Sequence, residues 1–304
     1  MSYPLQFLVV LVMSLLGCTK VTLQGRASRQ FLKNGADSVL FHAMLFLFVA
    51  LTLVVIFPTA ALTWQGFWLS VLCALFTFFY QVFYAQALKE GPVSLTVLIC
   101  SFSTFLVVLY STIAFGETLY LSHIVGMLFL IFSMLLNVKQ EEKEKGRRWL
   151  FFTLAAMVST AVGTSIIKLF GKTEAAEVAG SDITFLALSY VAAAVFALLY
   201  YVANRYIGKK EKHTFAFSWK IFAYAISVGV VLGVFQKFYA LGMQHLDAAF
   251  MMPTWYGLQT LGMTTIGIFA FGDKLRTRQK WSIVCGLACI IFMNLRFTPL
   301  ISNT

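Results

Sequence analysis

The sequence predicts an all-α integral membrane protein, with ten transmembrane helices arranged as two inverted five-helix repeats. Three observations predict it. The 304 residues are 60% hydrophobic and only 12% charged, against about 25% charged in a typical soluble domain. The apolar residues gather in ten stretches, each close to the roughly 20 residues that a bilayer span requires. The chain also repeats itself: Gln81, Phe83, Tyr84 and Ala85 return as Gln236, Phe238, Tyr239 and Ala240, and Phe115-Gly116-Glu117 returns as Phe271-Gly272-Asp273. Upstream, Gly17, Leu23, Gly25 and Arg26 match Gly163, Leu169, Gly171 and Lys172.

The ten stretches are 4–23, 37–57, 66–88, 92–115, 120–138, 149–170, 183–207, 217–243, 247–271 and 278–297. The first lacks the basic leading region of a cleavable signal peptide and reads as a retained span. The third to fifth run together with little polar relief. Gly91-Pro92 opens the fourth, where proline costs little because its missing N–H would be unpaired anyway. Asp247 holds the equivalent place before the ninth and can cap its first turn. Gly116 and Gly272 end the fourth and ninth spans as helix C-caps, and Glu117 and Asp273 suit the start of the helix that follows.

Charge sets the orientation. The net charge is +11, but the basic residues fall in short connectors: Arg26, Arg29 and Lys33; residues 139–148; Lys209, Lys210 and Lys212; Lys274 to Lys280. That distribution belongs to cytoplasmic loops facing anionic headgroups, not to a nucleic-acid surface. It places both termini outside. The charged segment 139–148 is a linker between a first repeat, 1–138, and a second, 149–304. Five spans on each side make the second repeat enter the membrane from the opposite face.

Together these features resemble the drug/metabolite transporter superfamily, in particular its ten-span EamA-type branch. The resemblance rests on the two five-span repeats, the Gly-Glu and Gly-Asp turns, and a glycine-bearing first span in each half. It implies a secondary transporter of the cell membrane that moves a small polar metabolite by alternating access. It does not name the solute. Many members of the branch are drawn with cytoplasmic termini, which the charge pattern here opposes.

The first candidates for solute contact are Gln81 and Gln236, because an unpaired amide in hydrocarbon costs several kcal/mol. Ala74, Thr77, Gln81 and Ala85 share one helical face, as do Gly229, Gly233, Gln236 and Ala240. Polar bonding between helices is the rival reading, since Gly229-x-x-x-Gly233 permits close approach. Ser101 and Thr104 on the fourth span, and Tyr256 and Thr260 on the ninth, form a second polar group, although serine and threonine often bond their own backbone. Ser14 and Thr160 stand three residues before Gly17 and Gly163, where close packing is the competing role. Tyr84, Tyr239 and Trp255 are possible cavity walls or interfacial belt residues. Lys237 requires a partner or water, and an anionic solute would serve. Lys20 and Lys168, nearer span ends, are expected to snorkel to water.

None of the twelve Asp and Glu falls in the middle of a span, which argues against cation–proton exchange of the small-multidrug-resistance kind and for neutral, zwitterionic or anionic solutes. The five cysteines have no metal-ligand spacing and read as packing residues. The four histidines are scattered, so the expectation is no metal, no cofactor and no enzyme activity. The expected partners are a small-molecule solute and a bilayer with anionic headgroups. The alternatives are a flippase for a lipid-linked sugar and an integral-membrane enzyme.

Overall fold

The computed structural model describes residues 3–31, 35–90, 96, 99–137, 147–206, 219–271, 277–295 and 299–301. Among them lie ten α-helices in succession: α1 (Tyr3–Phe31), α2 (Gly35–Ile56), α3 (Trp64–Glu90), α4 (Ser103–Phe115), α5 (Leu121–Asn137), α6 (Arg147–Gly171), α7 (Ser181–Tyr206), α8 (Trp219–His245), α9 (Ala248–Phe271) and α10 (Thr277–Asn294). Six helical segments are long and apolar enough to cross a membrane: Pro4–Gln24, Ser38–Ile56, Trp64–Ala87, Arg148–Gly171, Ser181–Ala203 and Trp219–His245. Shorter apolar segments, Ile99–Phe115, Leu121–Leu136 and Lys280–Met293, stand beside them.

Several expected boundaries move. Helix α1 runs on to Phe31, so Arg26 and Arg29 ride its last turns rather than a connector. Continuing the helix keeps each backbone N–H and C=O paired. The fourth stretch is interrupted at Phe102. The N–H of Phe102 bonds the Ile99 carbonyl and that of Phe105 bonds the Phe102 carbonyl, the tighter i to i+3 pattern, and α4 proper begins only at Ser103. One small sheet also qualifies the all-α expectation: β1 (Leu119–Tyr120) pairs antiparallel with β2 (Pro299–Ile301), tying the α4–α5 connection to the segment after α10. Gly91-Pro92, Lys33, residues 139–146 of the linker, Lys209, Lys210, Lys212, Gly272-Asp273 and Lys274 lie outside the described residues.

Large apolar side chains face outward. Leu15, Val55, Ile113, Phe132 and Leu199 are each more than half exposed. In water each would forgo about 1.5–3 kcal/mol of burial; against lipid tails it forgoes nothing. Trp64 and Trp219 are also largely exposed and open α3 and α8. They stand 155 residues apart, the spacing of Gln81 and Gln236, and fit an interfacial belt.

Packing interleaves the two halves. Helix α3 lies on α6 as α8 lies on α1; α2 lies on α8 as α7 lies on α3; α1 lies on α9 as α6 lies on α4. Three further pairs, α2–α7, α4–α9 and α5–α10, join helices of equal rank in each half. Glycine makes the closest of these approaches possible. A Cβ on Gly229 of α8 would sit 2.5 Å from the Phe48 Cβ of α2, and one on Gly233 would sit 2.9 Å from the Thr52 Cβ. The α5–α10 pair is held by Ser133 and Ser282, whose hydroxyls bond each other and each other's carbonyl, and by the stacked rings of Phe129 and Phe292.

Candidate functional site

Both glutamines are half-buried and turned inward, and each meets a ring on the second helix of its own half. Gln81 Nε2 donates to His42 Nε2 at 2.5 Å, and Gln24 Nε2 approaches the same nitrogen at 3.3 Å. His42 Nδ1 lies 2.6 Å from the Ser38 carbonyl. A carbonyl only accepts, so Nδ1 carries the proton and Nε2 is the acceptor. In the second half, Gln236 Nε2 donates to the Tyr190 hydroxyl, while Gln236 Oε1 is buried with no partner among the described residues. Phe46 bridges the two sites, with ring centroids 6.3 Å from His42 and 5.7 Å from Tyr190. The glutamines are thus linked through a column of three rings along α2 and α7.

Sequence reading missed His42 and Tyr190. They are 148 residues apart, between the two repeat spacings, and a search of the second helices for matched polar residues at that offset would have found them.

A second set of rings comes from α3, α8 and α9. Tyr80 and Tyr84 of α3 stack at 5.3 Å. Their hydroxyls, that of Tyr256 on α9 and the Cys100 thiol are close enough to act on one another electrostatically. Thr104 of α4 stands beside the Tyr256 hydroxyl. Trp255 packs on Tyr256 at 4.5 Å and on Tyr239 of α8 at 5.7 Å, and Tyr239 donates to Thr164 Oγ1 of α6. Tyr80, Tyr84, Trp255 and Tyr256 keep part of their surface accessible although helices of both halves surround them. The Trp255 Nε1–H is buried without a partner among the described residues. Ser101, also half-buried, lies on the turn that leads into α4.

The remaining polar candidates divide. Thr260 bonds the Tyr256 carbonyl and Ser14 the Val10 carbonyl, each one turn back on its own helix. Ser14 and Gly17 face α9: Ser14 also reaches the Trp255 carbonyl at 3.4 Å, and a Cβ on Gly17 would meet Gln259 Nε2 at 3.2 Å and Trp255 Nε1 at 3.4 Å. Around Thr160, half-buried on α6, the fit is looser. A Cβ on Gly163 would meet only the Phe76 Cβ, at 3.7 Å. Cysteines sit at these same crossings: Cys18 approaches the Gln259 carbonyl, Cys73 that of Gly163 and Cys100 that of Thr153.

The charged groups depart furthest from expectation. Lys168 does not snorkel. It is fully buried, 2.5 Å from Glu117 Oε1, and donates to the Leu246 carbonyl at 2.7 Å. Glu117 in turn accepts the Ala248 N–H at 2.7 Å through Oε2. Gly116 is the left-handed C-cap expected of it, at φ 64°, but the acidic residue after it serves α9 rather than α5. Asp247 takes the backbone N-cap position of α9, its carbonyl accepting from Phe250 and Met251. A desolvated ammonium needs a counter-charge, and the fold supplies one from the other half. Lys237 has a carboxylate too: its Nζ lies 2.6 Å from Asp182 Oδ2 in the first turn of α7.

Apolar helices with outward-facing aliphatic surfaces and inward-facing amides, rings and paired charges fit a multi-pass membrane protein. Residues 8–139, somewhat under half of the chain, match the model of the EamA-like transporter family. A solved crystal structure, described only as that of a protein, is similar in fold over 96% of this chain and 97% of its own, at a TM-score of 0.74 and 16% identity. No curated protein matches the chain by sequence.

Proposed function

We propose that the protein moves a small polar metabolite, neutral, zwitterionic or anionic, across the cell membrane by alternating access between two inverted repeats, 1–138 and 149–304. The observation that carries this reading is the ring-lined interior where α3 and α4 of one half meet α8 and α9 of the other. Tyrosine hydroxyls and an unsatisfied indole N–H are the groups a polar solute bonds in a space otherwise closed to water. The largely exchangeable packing of the halves supports the inverted repeat, because most helix pairs between them recur when the halves are swapped, α5–α9 being an exception. Gln81 shares α3 with Tyr80 and Tyr84, and Gln236 shares α8 with Tyr239, so each amide stands on a helix that lines that interior. Ser14, Ser101, Thr104, Thr160 and Thr260 supply further hydroxyls along the wall.

A thermal-stability screen of the purified protein against amino acids, sugars, nucleotides and organic anions tests the solute class. A bound ligand stabilises by about 2.7 kcal/mol at a hundred times its dissociation constant. The expected result is a selective upward shift that Tyr256→Leu removes. A shift that survives Tyr256→Leu would move the site elsewhere. The absence of any shift from soluble metabolites would favour a lipid-linked substrate.

Orientation has its own test. Single cysteines at Pro4 and Arg148, both exposed at the starts of α1 and α6, are expected to label with an impermeant thiol reagent from opposite sides of the membrane. Labelling of both from one side sinks the inverted arrangement.

A further inference from the structure

We propose that His42 is a proton-binding site and that the proton it carries is the coupling ion of transport, an inference that rests on the transporter reading above. Every group bonded to the ring is an amide or a carbonyl. In the neutral form Nδ1–H donates to the Ser38 carbonyl and Nε2 accepts from Gln81, with Gln24 beside it. A proton taken from water onto Nε2 turns that acceptor into a donor. Either glutamine meets the change by rotating its amide half a turn, which puts Oε1 where Nε2 had been. Both protonation states are therefore satisfied without moving a helix. A paired carboxylate would hold the proton too firmly; two reversible amides let it load and leave.

Groups from three other helices face the ring. His42 is buried, and an ionisable group inside a membrane bundle is costly to keep there without a use. From α1, Lys20 is the cation that faces it, one turn before Gln24. From α3 it meets Gln81, and from α7 it meets Tyr190 across Phe46. Helix α8 meets α2 further along, at Phe48 and Thr52.

Gln81 supplies the link to the solute. Its amide presents either its N–H or its oxygen to the ring, and the other end is left for a solute. A solute that accepts the Gln81 N–H turns Oε1 toward His42 and favours the protonated ring. Solute and proton then bind cooperatively, and each raises the affinity for the other by the same factor. The direction that follows is symport.

The test uses the full chain in proteoliposomes, with a mixture of radiolabelled amino acids as the probe. An acid-outside gradient is expected to raise wild-type accumulation by up to about tenfold per pH unit for one proton, and His42→Gln is expected to lose that response. An equal response in both proteins would overturn the proposal. If neither takes up any amino acid, amino acids are struck from the solutes of the functional reading, and histidine-15N NMR on the same preparations decides the proton site. One ring, absent from the His42→Gln spectrum, should show the Nδ1–H tautomer at neutral pH and convert reversibly to imidazolium. Its proton affinity should fall by about tenfold in Gln81→Leu, which removes a bond to the charged form. A ring that keeps one tautomer throughout the range of the folded protein would refute the site. Should His42→Gln not fold, the shift caused by Gln81→Leu decides the same question: a fall supports the proton site and no change refutes it.

Discussion

Lys168→Met is expected to destabilise the protein by about 3–5 kcal/mol, because removing one partner strands the other charge out of water. The partner left behind is Glu117, buried against the start of α9 with one oxygen still held by the Ala248 N–H. Glu117→Ala should cost a similar amount, since it strands the ammonium and also removes the cap of α9. The informative variant is the pair. Glu117→Gln combined with Lys168→Met leaves no net charge, keeps a group able to accept the Ala248 N–H, and should recover most of the loss. Thermal unfolding of the wild type, Lys168→Met, Glu117→Gln and the double variant in one detergent closes the double-mutant cycle. Purely additive losses would mean that the two side chains do not act as a pair.

The lock joins the halves. Glu117 comes from the first, while Lys168, Leu246 and Ala248 come from the second. If the halves move against each other, this end of the bundle separates only when the pair is broken, so the double variant should also change the rate of transport.

Gln81→Leu with Gln236→Leu is expected to reduce uptake by about a hundredfold or more while the protein remains folded. Each substitution removes an amide and leaves a ring group short of a partner, at about 1–3 kcal/mol apiece. His42 loses one of its two glutamine contacts and Tyr190 loses the Gln236 donor. Both glutamines are half-buried rather than sealed, so leucine fits without overpacking. Initial uptake rates and unfolding midpoints, measured together, separate function from folding. Unchanged uptake in a folded double variant would remove both residues from the solute path.

Much of this molecule was legible in one dimension because a bilayer imposes a simple rule. Every polar backbone group in lipid must be paired within its own helix, so spans announce themselves as long apolar stretches. Glycine turns were readable for a similarly local reason. Gly116 ends α4 because only glycine takes a left-handed conformation at no cost. Duplication made the glutamines stand out, since a costly polar group kept at matched places invites a role.

Partners were another matter. Nothing local distinguishes Lys168 from Lys20, yet one is sealed in an ion pair and the other is half-buried beside a histidine. Lys237 was open to an anionic solute in sequence terms, and its counter-charge proved to be Asp182, 55 residues earlier. His42 passed unnoticed because its second repeat holds a tyrosine, so residue identity hid the correspondence that position preserved.

By itself, then, the sequence determined the medium, the apolar helices and most of their described ends, all consequences of hydropathy, backbone pairing and residue type along a single segment. Only the tertiary structure decided which charge answers which, which rings stand between the two glutamines, and which carboxylate caps α9. Those outcomes depend on side chains brought together from helices far apart in the chain, and in a low-dielectric interior it is the partner, not the residue alone, that sets what a polar group costs and what it can do.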